Sequence, residues 1–323
     1  MIAHRNLAKD LGRLFFWYPL RWAVLLLPFR AVYGLGGLLG RLDVALSGRR
    51  RTGRMAAHIS RTLGCDAAAA RRLVRANLQN HIRNVLEFIK YPQLNAANLA
   101  PVVTLVGREH LDQALQQGRG VVLCTAHFGA KQMLQVALGH SGYRINQINY
   151  YKPDTELTWI QRHVGQRLRQ QIEKKIPAAF ISAVGSLRPV YRCLHNNEVV
   201  IVTGDGSGVP EHITKAYPAV DFLGRKMFMP TGPVALARRT GAALVPAFVF
   251  RDRHRHRVVL EPALALPAEA AEADGVAQLA RLIERNVRAA PALWEFWEEF
   301  DEGQLIPVAP AAAPAAAGGP AHV

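Results

Sequence analysis

Acidic side chains and cysteines are both scarce in this chain of 323 residues. Its 24 Asp and Glu face 40 Lys and Arg, a formal net charge of +16. Such an excess draws anionic partners, whether nucleic acid, acidic lipid headgroups or an acidic carrier protein. A solvated basic surface has the same composition. The three cysteines, Cys65, Cys124 and Cys193, form no CxxC pair and no even framework. That excludes a disulfide scaffold and a zinc site built on cysteine pairs, and it fits a reducing compartment. No apolar run reaches about 18 uninterrupted residues, the usual length for crossing a bilayer. Residues 14–27 read LFFWYPLRWAVLLL but are broken by Pro19 and Arg21, and Pro28, Arg30 and several glycines interrupt residues 22–42. P-loop and GxGxxG fingerprints are missing, so nucleotide binding has no support. The basic residues are dispersed and carry no nucleic-acid-binding signature, which argues against a nucleic-acid partner.

Half of the residues are apolar. The chain is therefore long and apolar enough for one large α/β domain or two modest ones. Trp17, Tyr18 and Trp22 are aromatics of the kind favoured at a membrane–water interface. Residues 1–60 carry ten Lys or Arg against only Asp10 and Asp43. Apolar, aromatic and basic character together point to a segment that lies in, or marginally spans, an anionic leaflet. A buried N-terminal helix is the competing expectation. The chain thus divides into a membrane-associated segment (1–48), a catalytic domain (49–302) and a disordered Ala/Pro tail (303–323).

Within the middle part, the Arg49–Arg51 run closes the first helical region. Residues 56–89 then show helical spacing of apolar side chains. Short apolar runs at 102–106, 120–125, 145–150, 198–202, 222–228 and 243–250 read as strands, with 258–260 as an edge strand. Helices are expected at 110–117, 131–138, 156–174, 187–195, 232–239 and 276–289. Strands alternating with helices predict a mixed or parallel central sheet covered by helices, an α/β fold with an N-terminal helical segment.

His127 follows the run GVVLCT directly, where a strand hands over to a helix. In open α/β sheets ligands collect at such places. A lone histidine is more often structural, but this setting, with Gly129 able to admit a substrate close to the backbone, favours a chemical role. Cys124 stands three residues before His127, so on a strand the two point to opposite faces and Cys124 belongs to the core. Asp205 sits in TGDGSG at the end of another apolar strand, as a turn former or a functional acid. Thr231-Gly232 opens a helix whose free N–H groups suit an anion, although an ordinary helix–strand connection reads the same way.

Taken in order, these residues resemble a known family. His127-Phe128-Gly129, then Asp205, Phe222-Leu223-Gly224, Thr231-Gly232, Leu236-Ala237, Thr240-Gly241-Ala242 before Pro246, and Trp294/Trp297 after Pro291 are similar to the lipid A late acyltransferases and their phosphatidylinositol mannoside acyltransferase relatives. The resemblance spans roughly residues 14–300. It implies an enzyme at the cytoplasmic leaflet of the bacterial inner membrane. Such an enzyme moves a fatty acyl chain from an acyl carrier protein or coenzyme A thioester to a hydroxyl of an anionic membrane lipid. It needs no cofactor and no metal. His127 becomes the general base. Phe128, Gly129, Gly204, Thr231 and Gly232 become substrate contacts, and Arg167, on a basic helix at the distance of a family arginine, becomes a phosphate-binding residue. A solvated helix face explains Arg167 equally well. One position departs from the family pattern, which places an Asp or Glu five residues after the histidine. Here that residue is Gln132, which can orient an imidazole but cannot supply charge to its cation. Three outcomes are open: a slow enzyme, compensation by another acid such as Asp205, or a non-catalytic relative that binds lipid or acyl groups.

Overall fold

The computed structural model describes residues 7–151, 157–206, 217–267 and 269–298. The tail from Gly303 and the first residue of the helix expected at 156–174 lie outside them.

The N-terminal layer is helical: α1 (Leu7–Phe15), a π-helical stretch (Phe16–Leu20), α2 (Arg21–Leu26), α3 (Phe29–Leu46), α4 (Arg49–Leu63) and α5 (Ala67–Lys90). The arginine run starts α4 rather than closing the region before it, because Gly48 at φ 75° turns the chain out of α3. The expected 56–89 helix is two. Gly64, left-handed at φ 66°, ends α4. Asp66 then caps α5 by accepting a hydrogen bond from the Ala69 N–H at 2.7 Å. Gly36, Gly37 and Gly40 let α3 lie directly on α5, and a Cβ on Gly40 would come within 2.6 Å of the Gln79 Cα.

Among the described residues no helix is long and apolar enough to cross a membrane. The N-terminal helices nevertheless have two apolar faces. Trp17, Leu20 and Leu25 pack inward on the core. Leu11, Phe15, Tyr18, Trp22 and Leu26 remain exposed on the first helices, as do Leu38, Leu42 and Leu46 on α3.

Seven strands form the sheet: β1 (Val103–Val106), β2 (Val121–Thr125), β3 (Ile145–Asn149), β4 (Ala179–Ser182), β5 (Val199–Thr203), β8 (Ala243–Asp252) and β9 (Arg255–Leu260). Their order is β1-β9-β8-β2-β5-β3-β4, parallel except for the antiparallel β8–β9 pair. The connecting helices are α6 (Arg108–Gln116), α7 (Met133–His140), α8 (Arg167–Glu173), α9 (Arg188–His195), α10 (Gly232–Thr240) and α11 (Glu272–Ala289). Central β2 is buried at every position because helices cover both faces of the sheet. Its residues divide by parity: Val122 and Cys124 join one core layer, Val121 and Leu123 the other.

Three strand expectations change. Residues 222–228 are not one strand: β6 (Ala219–Phe222) and β7 (Arg225–Phe228) form a separate hairpin. Leu223 and Gly224, at φ 51° and 77°, make its two-residue turn. The strand at 258–260 is interior, because β9 pairs with both β8 and β1. The true edges are β1 and β4, and β4 was missed because AFIS is short and starts two residues after Pro177.

Candidate active site

The register of the sheet makes the site. β2 and β5 are parallel neighbours, with Thr125 opposite Thr203. Two residues beyond those threonines stand His127 and Asp205, so the pairing delivers both side chains to the same place at the carboxyl ends of the strands. The His127 Nδ1 lies 2.8 Å from the Asp205 Oδ1. The backbone N–H of His127 donates to Oδ2 of the same carboxylate at 2.8 Å, and the Trp294 indole N–H donates to Oδ2 at 3.1 Å. Asp205 is fully buried. Donors converge on it from three sides, which compensates for the loss of water and matches the hydrogen-bonding capacity of a carboxylate. With Nδ1 engaged, Nε2 is the ring nitrogen left for a substrate. The ring stacks on Phe296, centroid to centroid 4.2 Å, which fixes its plane.

A short C-terminal strap closes around this pair. Phe128 and Trp294 form an antiparallel bridge. The Glu295 N–H donates to the His127 carbonyl at 2.7 Å, and the Gly129 N–H to the Leu293 carbonyl at 2.8 Å. The Glu295 side chain pairs with Lys131 at 3.2 Å. Burial pushes the Glu295 carboxyl up, but Lys131, His127 and His81 outweigh it and hold it down to about 2.

His127 opens onto a cavity of about 710 Å³. That size falls within the range of small-molecule sites. Its lining mixes apolar side chains, among them Phe88, Ile148, Phe180, Val202 and Pro233, with polar ones, among them Lys131, Gln132, Gln147, Asn149 and Arg169. Among the described residues there is no group of three side chains able to hold a metal ion.

The expected site residues fall into two groups. His127, Gln132 and Gly232 line the cavity. Gln132 occupies the N-cap position of α7 and contributes its side chain to the wall, while Asp205 takes the place beside the imidazole. Phe128 is fully buried and packs edge-on against Phe248 and Phe250. Gly129 is small for a different reason from substrate access: at φ 58°, a Cβ there would collide with the Val249 carbonyl oxygen of β8. Gly204 is likewise a packing residue, since a Cβ would come within 2.8 Å of the Cys124 sulfur. Thr231 holds the N-cap position of α10 and makes no capping hydrogen bond. Arg167 is exposed at the start of α8, whereas Arg169 reaches the cavity wall and pairs with the buried Glu173 at 2.8 Å. Two positions along a helix turn a side chain by about 200°, which separates these arginines onto different faces. Burial, with Asp205 nearby, raises the Cys124 thiol well above its ordinary value, so it is an inert core residue.

Residues 7–298 match the family model for the bacterial lipid A biosynthesis acyltransferases. The chain belongs to this family. It is accordingly an acyltransferase. A phosphatidylinositol mannoside acyltransferase from Mycobacterium tuberculosis is 29% identical over 73% of each chain. The lipid A biosynthesis lauroyltransferase of Escherichia coli is 25% identical over 84% of this chain and 85% of its own. A crystal structure of a 1-acyl-sn-glycerophosphate acyltransferase from Thermotoga maritima overlaps 80% of this chain and 97% of its own, with 12% identity and a TM-score of 0.38.

Lys131, Glu295, Trp294 and Phe296 are the site residues that sequence reasoning left without a role. Trp294 was visible only as a family landmark. The other three gave no signal, because their importance comes from the strap folding back onto the end of β2.

Proposed function

We propose that this acyltransferase moves a fatty acyl group from a phosphopantetheine thioester, carried by acyl carrier protein or coenzyme A, to a hydroxyl of a membrane lipid or glycolipid. Its place is the cytoplasmic face of the bacterial inner membrane. The observation that carries the reading is the 2.8 Å contact of His127 with Asp205 at the wall of a cavity with a mixed apolar and polar lining. The names of the mycobacterial and Escherichia coli relatives support a glycolipid acceptor. The exposed apolar row from Leu11 to Leu26 supports a seat at a lipid surface.

In this scheme Nε2 of His127 takes the proton of the acceptor hydroxyl as its oxygen attacks the thioester carbonyl. A C–O bond forms, and the tetrahedral adduct then collapses with cleavage of the C–S bond. The imidazolium returns the proton to the departing thiolate. Asp205 holds the imidazole in the tautomer that leaves Nε2 free, and its charge offsets the imidazolium. The Lys131 ammonium on the same wall favours negative charge developing on the carbonyl oxygen. Asp205 thereby supplies what Gln132 does not.

The test is acyl transfer by purified protein in lipid vesicles. Dodecanoyl thioesters of coenzyme A and of carrier protein serve as donors, a bacterial lipid extract as acceptor, and mass spectrometry identifies products. His127→Ala should lower transfer by about 10²–10⁴-fold, the usual worth of a general base. Transfer at full speed by that variant would overturn the proposal.

A further inference from the structure

Three asparagines, Asn77, Asn80 and Asn84, sit at spacings of three and four along α5, so they form one stripe on a helix whose neighbouring face is apolar. Asn77 and Asn84 are buried. Their amides all serve two chain segments, the His127 turn and the strap that closes on it. Asn84 Nδ2 donates to the Gly129 carbonyl at 2.8 Å, just after His127, and to Glu295 Oε1 at 3.1 Å. Asn77 Nδ2 donates to the carbonyl of Trp294 at 2.6 Å and of Ala292 at 3.2 Å. Asn80 Nδ2 donates to the same Ala292 carbonyl at 3.1 Å. Trp294 in turn holds Asp205 through its indole.

The direction of two of these amides is fixed from behind. Arg251, at the end of β8, donates to Asn80 Oδ1 at 3.3 Å and to Asn84 Oδ1 at 2.9 Å, and pairs with Glu87 at 2.5 Å one helical turn further on. A guanidinium has only donors, so each amide must turn its oxygen toward Arg251. That leaves the NH₂ of Asn80 and Asn84 facing the carbonyls of the strap and of the His127 turn. Glu87 and Arg251 are buried together, 1% and 2% exposed, so the fork has little freedom. Burial pushes the Glu87 carboxyl up, and Arg251 and His256 more than reverse this.

We propose that Asn77, Asn80 and Asn84 are positioning residues: a clamp, with Asn80 and Asn84 oriented by Arg251, that seats the His127 turn and the Trp294 strap so that imidazole and Asp205 meet. None of the three touches the cavity among its lining residues. The proposal rests on reading His127 and Asp205 as the catalytic pair, so its test includes a measurement that needs no turnover.

The full-length protein, labelled with ¹⁵N in histidine, is compared with Asn84→Ala and Asn77→Ala. The His127 ring signals are assigned by their loss in His127→Gln. In the wild type Nδ1 should carry a slowly exchanging proton donated to Asp205. In either variant that proton should exchange faster, and the ring should populate both tautomers. Cleavage of dodecanoyl coenzyme A is followed in parallel. Each substitution should lower kcat roughly 10- to 100-fold, as small misplacements of reacting groups do, with KM within about twofold. In an Asp205→Asn background the same substitutions should cost less than about threefold, because the pair they position is already lost. Asn84→Ser and Asn77→Ser keep a donor on a shorter arm and guard against misfolding. They should give intermediate exchange and intermediate rates. An unchanged His127 signal in all four variants, or equal losses in both backgrounds, would overturn the clamp. Wild-type protein that cleaves no thioester while the His127 signal still responds would remove the proposed donor and keep the clamp.

Discussion

The residue-scale question is which acid serves the histidine. Asp205 lies against the ring Nδ1 of His127 and accepts the backbone N–H of the same residue, so one carboxylate holds the imidazole in place. Asp205→Asn should therefore lower kcat by about 10²–10⁴-fold with little change in KM, as loss of the acid does in a Ser-His-Asp triad. Steady-state kinetics with dodecanoyl coenzyme A reads this directly, and a lowered Tm with intact specific activity would reduce Asp205 to a turn former. Gln132→Glu should not accelerate the reaction. Under the proposed function Asp205 fills the acid's role, so a second carboxylate on the cavity wall only adds like charge near the dyad. A rate that rises would show that the position five residues after the histidine still matters here. Glu295 gives a pH prediction. Its carboxyl is held down to about 2 by Lys131, His127 and His81 despite burial. A depressed carboxyl contributes stability above its ordinary value near 4.5 and loses it as pH falls toward 2. Glu295→Gln should cost on the order of 2 kcal/mol at pH 7, discounted for its partial exposure, and the gap should close between pH 4.5 and 2. Urea unfolding at stepped pH measures both.

At the scale of elements, the parallel β2–β5 pair and the α3–α5 contact position the functional groups. Gly40 is where α3 comes closest to α5. Gly40→Val should destabilise the protein by about 1–3 kcal/mol through overpacking against Gln79, seen as a lower Tm. An unchanged Tm would mean that α3 is only loosely laid on the domain. The elements themselves were largely legible. Buried strands such as β2 and β8 are continuous apolar runs, and α10 and α11 carry clear periodicity. The misses have local causes. Leu223 at φ 51° is a turn residue that no leucine advertises, so β6 and β7 read as one strand. The stripe Asn77-Asn80-Asn84-Glu87 gave no signal within the helical pattern of 56–89, because polar side chains at helical spacing usually face solvent. Here they face a buried arginine and the strap.

For the whole molecule, charge and apolar surface act together under the proposed function. Leu11, Phe15, Tyr18, Trp22 and Leu26 form an exposed row on a chain of net charge +16. Trp22→Glu with Leu26→Glu should release the protein from vesicles rich in anionic lipid, measured by co-sedimentation. Binding of the wild type should weaken but persist as salt rises, because screening removes only the electrostatic part. Retention of the folded double variant at wild-type levels would place the membrane contact elsewhere. The sequence alone determined the α/β class, the strand that ends at His127, and the acyltransferase likeness, because each is written in short-range pattern and in residue order. Only the tertiary structure decided that Asp205 lies beside the His127 imidazole, where the proposed function needs an acid. His127 and Asp205 are 78 residues apart in sequence. Their meeting depends on β5 inserting beside β2 in one register, and a strand's neighbours are set by the packing of the entire sheet, not by its own residues.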